Sequence, residues 1–116
     1  MDKKKFIIRL LKDAADFIEQ QEANAQRKIL YNMAKAQYVN DPVLFKKLNE
    51  QIWEFRTVYR RNYYRIFAFW VRGYSEAPVV ISTHGVVKKS KKIDKNEIVK
   101  AESTRLRYLD VIDLNK

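Results

Sequence analysis

Residues 53–71 read WEFRTVYRRNYYRIFAFWV, and the fold is decided by how this stretch is divided. Its first part alternates. In an extended chain Trp53, Phe55 and Thr57 face one way, and Glu54, Arg56 and Val58 the other. Residues 52–59 are therefore a strand. Arg60-Arg61-Asn62 breaks the alternation as a hairpin connection, with Asn62 the residue suited to a positive φ. Residues 63–72 form the next strand, dense in aromatic and β-branched side chains. It is apolar on nearly both faces, as a central strand covered on one side by helices would be. Beyond it, residues 73–78 (GYSEAP) turn the chain, and residues 79–87 (VVISTHGVV) read as a third consecutive strand.

On the N-terminal side, residues 5–10 (KFIIRL) are a short apolar run with β-branched content, the first strand. From Asp13 the period becomes helical through Ala14, Phe17, Ile18 and Gln21. A second helix is expected from Asn24, as its cap, to about Tyr38. Its apolar face would hold Ile29, Leu30, Met33 and Ala36, with Arg27, Lys28 and Lys35 outside. Asn40-Asp41-Pro42 stops it, and residues 43–50 read as a turn or single helical turn. At the other end Asp94 and Glu97 have capping-box spacing, so a last helix begins at Lys95. Ile98, Ala101, Arg105, Tyr108 and Ile112 recur along it every three to four residues. The order is β-α-α-β-β-β-α, an α+β fold in one domain spanning residues 1–116. Strands in series imply an antiparallel sheet with the helices packed on one face and the other left to solvent or ligand.

The charge is concentrated in the same region. Residues 53–92 hold nine Lys or Arg against two acids, so about +7 of the formal +10 lies in one third of the chain. Arginines set among aromatics on a sheet, with a lysine cluster at its end, fit an anionic polymer, RNA first. A hydrophobic content of 47% argues against disorder. The chain has no cysteine, which excludes disulfides and thiolate metal sites and fits a reducing cytoplasm. The start, MDKKKFIIRLLKDAADFI, superficially resembles a secretion signal, but Arg9, Lys12, Asp13 and Asp16 break the apolar run. No run approaches the roughly 20 apolar residues of a membrane span. The expectation is a cytoplasmic protein with no membrane partner.

Three segments together resemble the RelE/ParE toxin superfamily, in particular the HigB-type, phage-associated branch of type II toxin–antitoxin toxins. They are Ile52-Trp53-Glu54-Phe55-Arg56, then Tyr64-Arg65-Ile66-Phe67, then His84-Gly85-Val86-Val87-Lys88-Lys89-Ser90-Lys91-Lys92 with Glu97-Ile98 and Ala101 downstream. The strand–helix–helix start also fits, so the resemblance covers nearly the whole chain. Val86 stands where relatives usually have Phe, and Ile93-Asp94 replaces a frequent Thr-Pro. The resemblance implies a RelE-like fold and a toxin that inhibits translation by cutting mRNA on the ribosome. It also implies silencing by a cognate antitoxin, a helix-turn-helix protein encoded beside it. Some superfamily members instead poison DNA gyrase.

Cleaving RNA without metal requires a base for the 2′-OH, cations around the phosphorane, and an acid for the leaving 5′-oxygen. No His pair or carboxylate cluster has metal-ligand spacing, which argues against a metal nuclease, and no cofactor motif is present. Arg65, mid-strand among aromatics, is the candidate phosphate clamp; the competing reading pairs it with Glu54 or a helix carboxylate. Arg56 shares a face with Glu54, so a structural pair competes there as well. Lys88 and Lys89 lie at a strand end and are candidates for moving protons. Arg60, Arg61, Lys91 and Lys92 are RNA-binding candidates, the last two also readable as a solvated turn. His84, the only histidine, is either an acid–base group or a packed strand residue. Tyr108 falls on the core stripe of the last helix. Competing with a ribonuclease toxin are a gyrase-directed toxin that cuts nothing and a basic RNA- or DNA-binding module of a mobile element.

Overall fold

A computed structural model describes residues 3–114. The elements run β1 (Ile7–Leu10), α1 (Lys12–Glu19), α2 (Ala23–Ala36), β2 (Phe45–Lys47), β3 (Trp53–Tyr59), β4 (Asn62–Val71), β5 (Val79–Lys88) and α3 (Lys95–Leu114). The α+β class and the expected element order hold, with one short strand added. β2 lies within the stretch read as a turn. It pairs antiparallel with β3 through Phe45–Phe55, and aromatic packing explains it: the two rings stack at 4.3 Å.

The strands lie in the order β1-β5-β4-β3-β2. β3, β4 and β5 are the expected antiparallel meander. β1, however, joins β5 in parallel, so the sheet is mixed rather than wholly antiparallel. The helices also divide. α1 and α2 pack on the face that carries Phe55, Tyr64, Ile66, Ala68 and Val80. α3 covers the opposite face, against Phe67, Phe69, Val71 and Ile81. Both faces of β4 are apolar because both are covered, and the expectation of helices on one face is corrected. Burial of Phe67 and Phe69, both at 0% exposure, contributes about 1.5–3 kcal/mol each.

Local details explain the remaining differences. α2 starts one residue ahead of Asn24, and its cap is Glu22, whose side chain accepts from the Ala25 N–H at 3.0 Å. Leu30, expected inside, is 47% exposed, because Ala25, Ile29, Met33 and Ala36 already fill the helix's contact with the sheet. The Asp94 carboxylate accepts from the Asn96 N–H at 2.9 Å, while Glu97 turns toward His84 instead of completing a capping box. Between Ser82 and His84 the β4–β5 register slips, leaving Thr83 as the extra residue of a bulge. Gly85 sits just beyond it, under the ring of Phe17, where an added Cβ would lie 2.2 Å from a ring carbon.

Candidate nucleic-acid interface

The β3–β4 hairpin folds back so that Tyr59 pairs with Asn62, leaving a two-residue loop. Both loop residues are left-handed, Arg60 at φ 49° and Arg61 at φ 66°. The positive φ thus falls on two arginines and not on Asn62. Each left-handed non-glycine costs roughly 1–2 kcal/mol. The twist of the flanking strands favours such a loop, and the Arg60 guanidinium stands 5.3 Å over the Tyr59 ring. Two exposed cations are thereby held at the hairpin tip.

The end of β5 reaches the same place, because Lys88 pairs with Tyr63 at the start of β4. Lys88, Lys89, Lys91 and Lys92 are all exposed and continue from that end into the loop before α3. Between this loop, the hairpin and α2 lies a cleft of about 440 Å³, lined among others by Lys28, Asn32, Leu44, Arg56, Tyr63 and Lys91. Lys28 donates to the Val58 carbonyl at 2.6 Å, and the Asn32 amide donates to the Thr57 hydroxyl at 3.1 Å.

Under the lysine loop, Arg56 and Arg65 occupy directly paired positions on β3 and β4. They differ in access: the Arg56 side chain is 28% exposed and that of Arg65 2%. Arg65 donates from Nη1 to Glu54 at 2.7 Å and from Nη2 to the Lys91 carbonyl. The Arg56 Nε lies 3.2 Å from the same Glu54 oxygen, and its Nη1 donates to the Pro42 carbonyl at 3.3 Å. The Arg–Glu pairing weighed from sequence is therefore present for both arginines.

His84 lies apart from these cations, buried beneath α3 and stacked on Phe67 at 5.0 Å. Its Nδ1 is 2.8 Å from the Thr83 hydroxyl, and its Nε2 is 3.6 Å from the Glu97 carboxylate. Burial, with the charge of Lys100 adding to it, pushes the imidazole below its usual pKa against the opposing pull of Glu97. Tyr108 packs edge-on against Phe69 at 5.6 Å, on the core stripe where its spacing places it.

The structure thus gathers Arg56, Arg60, Arg61 and the four loop lysines around one end of the sheet, sets Arg65 beneath them, and leaves His84 inside. Lys28 and Asn32 escaped the sequence reading because the periodicity of α2 places Lys28 outside and carries no sign of what lies opposite. Glu54 appeared there only as a competitor for the arginines. Among the described residues no group of three or more His, Asp or Glu side chains is placed to hold a metal ion, and no helix is long and apolar enough to cross a membrane.

No curated protein and no solved structure shows a significant match to the chain. The model of the family described as phage-derived Gp49-like protein (DUF891) matches residues 16–106, a span that runs from α1 into α3 and includes every side chain of the cleft. On that match the chain belongs to the phage-derived Gp49-like family, itself part of the RelE/HigB-like toxins.

Proposed function

We propose that this protein is the toxin of a type II toxin–antitoxin pair, and that it arrests translation in the cytoplasm by cutting mRNA on the ribosome without a metal ion. The observation that carries this reading is the convergence of the hairpin arginines with Lys88, Lys89, Lys91 and Lys92 at one end of the sheet, beside a cleft lined by Arg56 and Lys91. Two of those cations are held in left-handed backbone, a strain more common at functional sites than elsewhere.

In this reading the 2′-oxygen of the substrate attacks the adjacent phosphorus, the bond to the 5′-oxygen breaks, and a cyclic phosphate and a 5′-hydroxyl result. Lys88 and Lys89 stand at the strand end for proton transfer. Arg56 and Lys91 flank the position where charge builds on the phosphorane. Arg60, Arg61 and Lys92 follow the neighbouring phosphates of the strand. His84 contributes through packing, because its ring is enclosed by Phe67 and α3. Family membership supports an antitoxin as partner, and a small helix-turn-helix protein from the adjacent gene is the one proposed.

The test is inducible expression with primer-extension mapping of transcripts, with and without translating ribosomes. Growth arrest with new 5′ ends confined to translated messages is the expected result. Arrest with intact transcripts and damaged DNA would move the protein to the gyrase-directed class. Abundant protein without slowed growth would leave only a nucleic-acid-binding module.

A further inference from the structure

Glu54 is fully buried at 0% exposure, inside the most basic stretch of the chain. An isolated carboxylate there would be expensive to bury, so its partners explain its presence. Arg56 and Arg65 face each other across β3 and β4, and like charges at paired positions repel. One Glu54 oxygen meets both, at 3.2 Å and 2.7 Å, which relieves that repulsion.

The outer ends of the two guanidinium groups then reach different parts of the chain. Arg56 donates to the carbonyl of Pro42, next to Val43 and Leu44 on one wall of the cleft. Arg65 donates to the carbonyl of Lys91, on another wall. We infer that Glu54 is the positioning residue of the cleft: a buried carboxylate that aims two arginines, each of which pins the backbone of one wall. Arg65 is likewise a positioning residue, with both Nη atoms engaged and its side chain enclosed, while the more open Arg56 stays available to a phosphate. The ligand this frame serves, a single-stranded RNA backbone, rests on the function proposed above; the pinning does not.

The test therefore begins without RNA. Backbone ¹⁵N order parameters are measured in the wild type and in Glu54→Gln, Arg65→Lys and Arg56→Lys. In Glu54→Gln, residues 43–44 and 90–92 are expected to fall together from about 0.85 to below about 0.6, with α2 unchanged. Arg65→Lys should loosen only 90–92, and Arg56→Lys only 43–44. Should Glu54→Gln fail to fold, the two lysine variants, which keep a cation opposite the carboxylate, carry the test. Order parameters at wild-type values in both lysine variants, or an equal loss throughout the chain, would overturn the inference.

A second measurement follows binding of a fluorescein-labelled single-stranded RNA oligonucleotide against salt. Arg65→Gln should weaken binding without changing the slope. A slope reduced by about 0.7 would mean that Arg65 itself holds a phosphate and would overturn its assignment as a positioning residue. Absence of RNA binding by the wild type would count against the proposed function alone, since the order parameters are read without RNA.

Discussion

The two faces of the central sheet are built from the same strands and differ in what they bury. Toward α1 and α2 the layer is aromatic and aliphatic, with Phe6, Phe45, Phe55, Trp53 and Trp70 forming a connected ring cluster. Toward α3 the layer is mixed. Phe67, Phe69, Val71 and Ile81 lie under the helix, while Glu54, Arg56 and Arg65 lie near the lysine loop. Arg65 and Phe67 point to the same side of β4 and are two residues apart, about 7 Å along a strand. Stability and the Glu54–arginine cluster are thus adjacent on one face, while the cleft also reaches α2 through Lys28 and Asn32. Changes in the apolar layer beneath α2 should act on folding, and changes near the loop on ligand.

The strongest test of that division is Ile66→Ala. Ile66 is 1% exposed on the α2 side, and truncation should cost about 2–5 kcal/mol in urea unfolding. A loss under about 1 kcal/mol would show that this face is not where the fold draws its stability. Gly85→Ala should follow at about 1–3 kcal/mol, because the new methyl group meets the Phe17 ring. Adding Phe17→Leu should recover part of that loss, so a double-mutant cycle with no coupling would contradict the close approach.

The hairpin tip should separate stability from binding. Replacing Arg60-Arg61 with Asn-Gly relieves the left-handed strain and should raise stability by about 1 kcal/mol. The same change should flatten the salt dependence of RNA binding by about one to two logarithmic units. An unchanged slope would remove the hairpin from the interface, and lower stability would show that the left-handed pair is not strained.

The smallest effect expected is one of pH. The folded His84 holds its proton less readily than the unfolded chain, first because of burial and then because of Lys100. Its stability contribution is therefore complete above the unfolded pKa of about 6.5 and declines as pH falls toward the lower folded value. Melting temperature should drop between about pH 7.5 and about pH 5.5, and less so in His84→Gln. Equal slopes in the two proteins would place the titration elsewhere.

Much of this fold was legible along the chain. The hairpin around Arg60-Arg61, the central strand and the start of α3 at Lys95 depend on neighbours within a few residues, and periodicity reports those directly. The same holds for the gathering of positive charge at one end of the meander, since consecutive antiparallel strands bring residues 60–61 and 88–92 together. β2 was harder to see, because three residues are too few to show a period and its pairing rests on Phe45 finding Phe55.

By itself the sequence determined the α+β class, the antiparallel core and the basic character of the cleft, all set by local alternation and by charge along the chain. Only the tertiary structure decided that β1 pairs parallel to β5, that α3 takes the face opposite α1 and α2, and that Lys28 joins the cleft. It also brought Glu54 within ion-pair distance of both arginines. Paired positions on different strands are set by register, and a buried carboxylate recruits whichever cations register places beside it.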